Sequence, residues 1–282
     1  MARPARLEIA GAVYLIGAHC PFDSGQPAFA DESDRAEMRS LLAQALHRFD
    51  AQALAYALLP DHYHLLLFTR RANLSPLMRH VNGVYTQHQQ RRHGFSGPLF
   101  QGRFHAVLVD RERYLLDACR YIDLNPVRLG LVRSAADWPG SSYLALACQE
   151  AAPEWLDVDG LHTHLLGRPA LTPAQHRIAG ERYARLVAAE PGLQLWPGRL
   201  REQIFLGDAA FAERMRAAAA VAPRRAARAS WADWLKRAGG IREQALWLAH
   251  TEGSVAMTDL AGQLGLSVSR VSRLIAAAER AV

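Results

Sequence analysis

The 282-residue sequence contains no run of about 20 consecutive apolar residues, which excludes an ordinary membrane-spanning helix. Its first residues lack the basic start, apolar stretch and small-residue cleavage site of a signal peptide, so we expect a cytoplasmic protein with no membrane partner. Cysteine is scarce: Cys20, Cys119 and Cys148 are widely spaced and odd in number. This pattern argues against a disulfide framework and against a zinc site of paired cysteines, and predicts buried or inert thiols.

Lysine is nearly absent, because Lys236 is the single lysine among 33 basic residues, and the formal net charge is +6. Arginine forks bind phosphate oxygens bidentately and stack on bases, so the arginine bias suits a polyanionic partner. A GC-rich genome or an ordinary solvated surface would produce the same bias. Charge therefore indicates a class of partner only weakly.

Hydrophobic patterning predicts an α+β fold over the first 124 residues. Strands are predicted at about residues 7–20, 53–59, 62–68 and 100–109, and helices at about 31–49, 74–93 and 111–124. The order βαββαβ is typical of a ferredoxin-like antiparallel sheet, here followed by one added helix. That helix should end before Pro126, because proline disfavours helical backbone in the preceding residue.

Beyond Tyr143 the sequence shows no good strand, and an all-α region is expected. Three units are predicted: residues 1–150, a helical connecting region at 151–245, and a small helical unit at 246–282. In the last unit, residues 257–267 and 268–281 predict helix, glycine-containing turn and helix. A helix-turn-helix would place Arg270 and Arg273 on its groove-facing second helix. An ordinary helical hairpin is the alternative.

A pair of histidines separated by one residue, His62-Tyr63-His64, opens the apolar run Leu65–Phe68. Side chains alternate along a strand, so both imidazoles should leave one face of the sheet. Imidazole nitrogen is the commonest protein metal ligand, and the pair predicts two ligands for one metal ion. The alternative is a polar patch on a half-exposed strand.

The third predicted helix carries Tyr121 and Asn125, which are four residues apart and so share a helix face. If this face points at the histidine pair, the site gathers two imidazoles, an amide oxygen and a phenol, which suits phosphoryl transfer with the phenol as nucleophile. Such ligands favour Mg²⁺ or Mn²⁺, although histidine also suits zinc and nickel. The competing tyrosines are Tyr85, Tyr114 and Tyr143.

Four motifs in combination resemble the REP-associated tyrosine transposases, which belong to the HUH group of single-tyrosine transposases acting on single-stranded DNA. The motifs are Leu59-Pro60-Asp61-His62-Tyr63-His64-Leu65, Leu99-Phe100-Gln101-Gly102-Arg103-Phe104, Arg120-Tyr121-Ile122-Asp123-Leu124-Asn125-Pro126-Val127-Arg128 and Asp137-Trp138-Pro139-Gly140-Ser141-Ser142-Tyr143. The resemblance spans about residues 5 to 147. Residues 150–282 lie outside it.

The resemblance implies that His62 and His64 bind a divalent metal and that Tyr121 attacks a DNA phosphodiester, leaving a 5′-phosphotyrosine and a free 3′-hydroxyl. Asn125 occupies the place of a third metal ligand. The implied partner is single-stranded or hairpin DNA, such as hairpins of repeated extragenic palindromes, and the implied location is the nucleoid. Whether the chain forms a homodimer is left open.

Basic side chains near these motifs are predicted to contact the DNA backbone, together with two from the C-terminal helices. They are Arg79, Arg91, Arg103, Arg120, Arg128, Arg270 and Arg273. His105 alternates with Arg103 on the fourth strand and could also approach phosphate, or both could be surface groups. Phe100 and Phe104 could stack on unpaired bases or pack in the core.

Two functions of different classes follow from the sequence. The first is a metal-dependent tyrosine transposase that cleaves and rejoins single-stranded or hairpin DNA. The second is a domesticated regulator that binds DNA through the C-terminal helices without turnover. Hydrolysis by metal-activated water is a third mechanism, which would survive the substitution Tyr121→Phe.

Overall fold

A computed structural model describes residues 7–21, 25–196, 198–221, 229–253 and 255–279. Its strands are β1 (Ala12–His19), β2 (Ala51–Leu59), β3 (His62–Thr69), β4 (His105–Val109), β5 (Leu200–Arg201) and β6 (Phe205–Leu206). Its α-helices are α1 (Glu32–Arg48), α2 (Leu74–His93), α3 (Arg111–Asp123), α4 (Asn125–Arg128), α5 (Tyr143–Leu146), α6 (Val158–Leu166), α7 (Pro173–Ala189), α8 (Ala209–Val221), α9 (Trp231–Arg237), α10 (Arg242–Thr251), α11 (Met257–Leu264) and α12 (Val268–Glu279).

The first four strands pair antiparallel in the order β2-β3-β1-β4. With α1 and α2 between them, they form the predicted ferredoxin-like βαββαβ arrangement, so the α+β fold class is confirmed. The expectation that no strand follows Tyr143 is wrong. β6 pairs in parallel with β4, and β5 pairs with β6, which extends the sheet to six strands. Each added strand has only two residues, too few to show a period of two in the sequence.

The two helices within the βαββαβ unit begin and end where the sequence predicts. The Asp31 side chain caps α1 by accepting a hydrogen bond from the Asp34 N–H. Gly94 ends α2 with φ of 72°, a left-handed conformation that glycine adopts without a side-chain clash. Asn82 of α2 accepts a hydrogen bond from the Tyr63 hydroxyl, so α2 covers the sheet face that Tyr63 occupies.

The opposite face of the sheet is covered by α3, which packs on β2 and β3. α3 ends at Asp123, one residue before the predicted end, and Asn125 opens the separate short helix α4. Pro126 is accommodated there because the first turn of a helix needs no N–H donor at that position. Asn125 therefore stands on a second helix and not on the helix of Tyr121.

The fourth strand is shorter than predicted, because it begins at His105 and not at Phe100. Phe100 and Phe104 are buried, and the Phe100 ring packs against Tyr63 with ring centroids 5.3 Å apart. These two aromatic side chains thus belong to the core. The Gln101 N–H donates to the His19 carbonyl at 2.7 Å, which brings the preceding loop against the end of β1.

Buried side chains in the described part of the chain form two cores. The first runs from Ile9 to Ala212, well past the predicted boundary near residue 150, because α7 and the added strands pack on the sheet domain. The second runs from Trp234 to Ile275 and is shared by α9 to α12. Helix α11 ends at Gly265 with φ of 63°, and α12 follows. The functional division into three units and the helix-turn-helix stay predictions.

The second core is attached to the sheet domain by ion pairs and ring contacts. Arg48 at the end of α1 pairs with Glu279, and Arg71 pairs with Glu252 at 2.7 Å. The His250 ring lies 5.8 Å from Phe49, measured between ring centroids.

The cysteines are free thiols. Cys20 and Cys119 are buried as predicted, but Cys148 is exposed and donates to the His176 carbonyl at 3.4 Å. Among the described helices none is both long and apolar enough to cross a membrane.

Candidate active site

The histidine pair lies at the start of β3, on the sheet face covered by α3 and α4. His62 faces His19 of β1 in the strand register, and His64 faces Gly17. The ring centroids of His62 and His64 are 5.2 Å apart. Because Tyr63 points to the other face, the period of two predicted from the sequence brings the two imidazoles together.

His62 is held by hydrogen bonds on both of its nitrogens. Its Nδ1 lies 2.7 Å from Asp61 Oδ1 and its Nε2 lies 3.1 Å from Asn125 Nδ2. A carboxylate on Nδ1 fixes the tautomer with a lone pair on Nε2, a pairing common behind metal-binding histidines, and here that lone pair accepts from the Asn125 amide. Rotation of the Asn125 amide group exchanges Nδ2 and Oδ1, and the rotated amide would present Oδ1 at this position.

His64 is neutral in this environment. Burial lowers its pKa to about 3, with further lowering from His62, His19 and Arg128. Its Nδ1 is buried without a hydrogen-bond partner, beside the position that a Cβ on Gly17 would occupy. A neutral imidazole retains a lone pair, which is what a metal ligand needs.

These donors fit a divalent metal. Two imidazoles and one amide oxygen supply three positions and leave the others to water and phosphate, a set that suits Mg²⁺ or Mn²⁺. Among the described residues no three His, Cys, Asp or Glu side chains are grouped to hold a metal ion. The side chain beside the pair that could complete the set is the amide of Asn125.

Tyr121 of α3 lies next to the histidine pair within the same chain. Its ring centroid is 6.0 Å from that of His64. Its hydroxyl oxygen accepts a hydrogen bond from Trp196 Nε1 at 2.9 Å. The other candidate tyrosines are placed differently: Tyr85 packs on the opposite sheet face and donates to the Ala28 carbonyl, and Tyr143 packs against Tyr183.

Arg128 of α4 lies over the Tyr121 ring, with Cζ 3.9 Å from the ring centroid. Its Nη1 and Nη2 atoms are buried and have no hydrogen-bond partner among the described residues. Burial lowers the pKa of Arg128, and Tyr121 acts in the opposite direction. Buried donors without an acceptor are costly, so this guanidinium is a ready site for an anionic ligand.

A buried carboxylate supports the end of α3. Asp123 accepts hydrogen bonds from the Ser142 hydroxyl at 2.7 Å and the Tyr183 hydroxyl at 2.6 Å. Burial raises the pKa of Asp123 to about 7, against the effect of these two donors. The network ties the Tyr121 helix to the Ser142 motif and to α7.

The predicted DNA-binding arginines fall into distinct places. Arg128 is at the site, and the exposed Arg103 precedes β4, whose first residue His105 lies opposite Gly17. Arg120, which was expected to attract the DNA backbone, is buried and paired with Asp117 at 3.3 Å and Glu190 at 3.0 Å, so its guanidinium is engaged by two carboxylates.

The remaining arginines lie away from the histidine pair. Arg79 and Arg91 are exposed on α2, which covers the other face of the sheet, so they do not flank the site as expected. Arg270 and Arg273 are exposed on α12. The prediction that they contact DNA is independent of the histidine site.

The sequence did not predict three residues of the site. Two lie beside the histidine pair, and the third contacts Tyr121. The His19 ring stacks on His62 at 4.6 Å between centroids, Gly17 leaves room for His64, and Trp196 contacts Tyr121. His19 and Gly17 could have been found from the pairing of β1 with β3, since they are two apart on one strand. Nothing in the local sequence marks Trp196.

Part of the chain is similar to known transposases. Residues 24–125 match the family model described as "Transposase IS200 like". The chain is 28% identical over 129 residues to a Haemophilus influenzae protein named as a REP-associated tyrosine transposase, covering 42% of this chain and 73% of that protein. It is also similar to a solved REP-associated tyrosine transposase bound to a REP hairpin, with a TM-score of 0.46, 19% identity, and coverage of 54% of this chain and 89% of the other.

Over residues 24–125 the sheet domain is therefore similar to transposases of the IS200-like type. Among such proteins, the similarity to the Haemophilus influenzae protein agrees with the resemblance to the REP-associated tyrosine transposases noted in the sequence. The match covers the strands and helices that carry His62, His64 and Tyr121.

Proposed function

We propose that this chain cleaves and rejoins single-stranded or hairpin DNA through a covalent bond between Tyr121 and a 5′-phosphate. The observation that carries the proposal is the position of one phenol beside two imidazoles and beside a guanidinium that stacks on the phenol ring, all in one subunit. The match of residues 24–125 to a transposase family model supports DNA as the substrate.

The proposed cleavage step forms one bond and breaks one. The phenolic oxygen of Tyr121 bonds to phosphorus, the bond from phosphorus to the 3′ oxygen breaks, the phenolic proton passes to solvent, and the 3′ oxygen takes up a proton. Rejoining is the reverse, with a 3′-hydroxyl attacking and Tyr121 leaving.

Each residue of the site has a role in this proposal. His62, His64 and Asn125 would hold Mg²⁺ or Mn²⁺, which polarises the scissile phosphate when bound. Asp61 orients His62 through Nδ1. The Nη1 and Nη2 donors of Arg128 take a non-bridging phosphate oxygen, since two buried donors there lack another acceptor.

Covalency tests the proposal directly. Labelled single-stranded hairpin DNA is incubated with protein and Mn²⁺, and an adduct that survives denaturant is sought on a gel. The parent should form the adduct and Tyr121→Phe should form none. Tyr114→Phe, two turns earlier on α3, is the matched control and should keep the adduct.

Other results would point elsewhere. Cleavage by Tyr121→Phe, abolished by His64→Ala, would mean that water and not Tyr121 is the nucleophile. Salt-sensitive DNA binding by the parent, with neither cleavage nor adduct, would favour the regulator that binds DNA without turnover.

A further inference from the structure

The hydroxyl of Tyr121 is held by a side chain from outside the transposase match. Trp196 lies beyond residues 24–125, yet its indole N–H donates to the Tyr121 oxygen at 2.9 Å. The two rings meet edge to face, with centroids 5.2 Å apart and planes at 72°. Arg128 also lies over the Tyr121 ring, with Cζ 3.9 Å from its centroid. The phenol thus contacts both an indole and a guanidinium.

The part of the chain that carries Trp196 is anchored to the same helix as Tyr121. Arg199 pairs with Asp117 at 3.0 Å, and Glu190 pairs with Arg120 at 3.0 Å. Asp117 and Arg120 stand one turn apart on α3. The two ion pairs therefore brace the chain on either side of Trp196 against the helix that presents the phenol.

Apolar contacts and the sheet complete this anchoring. Leu193 and Leu195 are buried in the first core. Soon after Trp196 the chain enters β5, which pairs with β6 at the edge of the sheet. Trp196 is therefore carried by packed structure and not by a free loop.

An indole N–H can only donate a hydrogen bond, so its partner must accept one. The phenolic oxygen accepts, and negative charge that develops on that oxygen during proton loss strengthens the bond. The donor also restricts rotation of the hydroxyl and holds the ring at a fixed angle to His64, which favours a reactive geometry.

We propose that Trp196 is a positioning residue for Tyr121, and that residues 190–196 and 198–201 form part of the active site. The inference rests on the proposed function, because it assumes that Tyr121 is the nucleophile. It adds to the transposase domain a functional residue supplied by the C-terminal half of the chain.

The contact itself is tested without activity by NMR of the tryptophan indole groups. The sequence has six tryptophans, so six indole N–H signals are expected from uniformly ¹⁵N-labelled protein. The signal missing in Trp196→Phe identifies Trp196. In Tyr121→Phe, which removes the acceptor, that same signal should shift upfield. An unchanged position would overturn the inference.

The role is tested by separating DNA binding from the rate of covalent reaction. Trp196→Phe keeps an aromatic ring and removes the N–H. It should lower the single-turnover rate of adduct formation about tenfold or more, the usual scale for a hydrogen bond to a charged group, with DNA affinity within about twofold. Trp138→Phe is the matched control, since its indole donates to the Leu58 carbonyl at 3.2 Å. It should keep the parental rate.

The outcomes separate this inference from the proposed function. A parent that forms adduct, with Trp196→Phe reacting at the same rate, overturns the positioning role and leaves the transposase proposal intact. A parent that forms no adduct overturns both. Equal losses of rate in Trp196→Phe and Trp138→Phe would show a general effect on the fold and would also overturn the specific role.

Discussion

At the scale of single residues, the histidine site depends on Gly17 of β1, which lies against the His64 imidazole. His64 can pack flat against β1 because residue 17 has no side chain. A Cβ at position 17 would lie 3.2 Å from His64 Nδ1 and 3.3 Å from its Cε1. The imidazole would have to move by a few tenths of an ångström, and metal sites lose affinity when their ligands shift.

Gly17→Ala should therefore weaken Mn²⁺ binding about tenfold, the lower end of the range for changes behind a metal ligand. Titration of Mn²⁺, followed by its electron paramagnetic resonance signal, measures the loss. The free energy of unfolding should change by less than about 1 kcal/mol, because alanine is better than glycine within a strand and offsets the tight contact.

Gly83→Ala is the control for this experiment. A Cβ at position 83 in α2 would contact nothing within 4 Å. This variant should bind Mn²⁺ as the parent does and gain about 1 kcal/mol in unfolding free energy. Equal Mn²⁺ affinity in the parent and in Gly17→Ala would contradict the account of His64 as a ligand supported by β1.

At the scale of elements, α2 carries a half-buried histidine, His80, at its contact with α10. His80 Nε2 lies 3.3 Å from Arg48 Nη1, and its ring centroid is 5.7 Å from that of His250. Burial lowers the pKa of His80 to about 3, with smaller effects from Arg48 and His250. Because arginine can only donate, His80 accepts this hydrogen bond and stays neutral.

Acid should therefore destabilise the protein through His80. The unfolded chain binds this proton near pH 6.5, whereas the folded chain binds it only near pH 3. Between these values the unfolded state is favoured as pH falls, by up to about 1.4 kcal/mol per pH unit. In His80→Gln, which keeps an acceptor for Arg48, the free energy of unfolding should fall less steeply from pH 6.5 to pH 5.

Urea unfolding at several pH values measures this slope. His47→Gln is a suitable control, because His47 is exposed on α1. Its pH dependence should follow that of the parent. Parallel curves for His80→Gln and the parent would show that the His80 imidazole does not set the acid stability.

At the scale of the whole molecule, the helices α9 to α12 sit far from the histidine pair. His62 begins β3, whereas the ion pair from Arg71 to Glu252 lies just past the other end of that strand. Seven residue steps along a strand cover about 23 Å.

Removing both exposed arginines of α12 should test this arrangement. If Arg270 and Arg273 each contact a phosphate, Arg270→Ala with Arg273→Ala should reduce the slope of log affinity against log salt by about 2 for a hairpin with a long stem. Binding titrations from 50 to 200 mM salt measure it. The adduct rate on bound DNA should not change, because α12 does not contact Tyr121.

The control removes the same charge elsewhere. Arg177 and Arg185 are exposed on α7, and replacing both with alanine lowers net charge equally. This pair should change the salt slope by much less than the α12 pair. Equal changes would mean that only the net charge of the protein matters.

The sequence by itself determined the order of strands and helices in the sheet domain and the shared sheet face of the two histidines. The alternation of His62 and His64 put both on one face, and the order of strands and helices predicted the ferredoxin-like unit. These features are local, since they follow from the periods of strand and helix. Asn125, in contrast, approaches His62 from the separate helix α4 and not from the helix of Tyr121, as its spacing had predicted.

Tertiary structure alone decided the rest. Trp196 reaches Tyr121 across 75 positions of sequence, and Arg120 is buried because Glu190, 70 positions away, folds back onto α3. Strands β5 and β6 exist because the edge of β4 offers them partners. No periodic pattern encodes such contacts, because they depend on how distant segments pack and not on the repeat of one element.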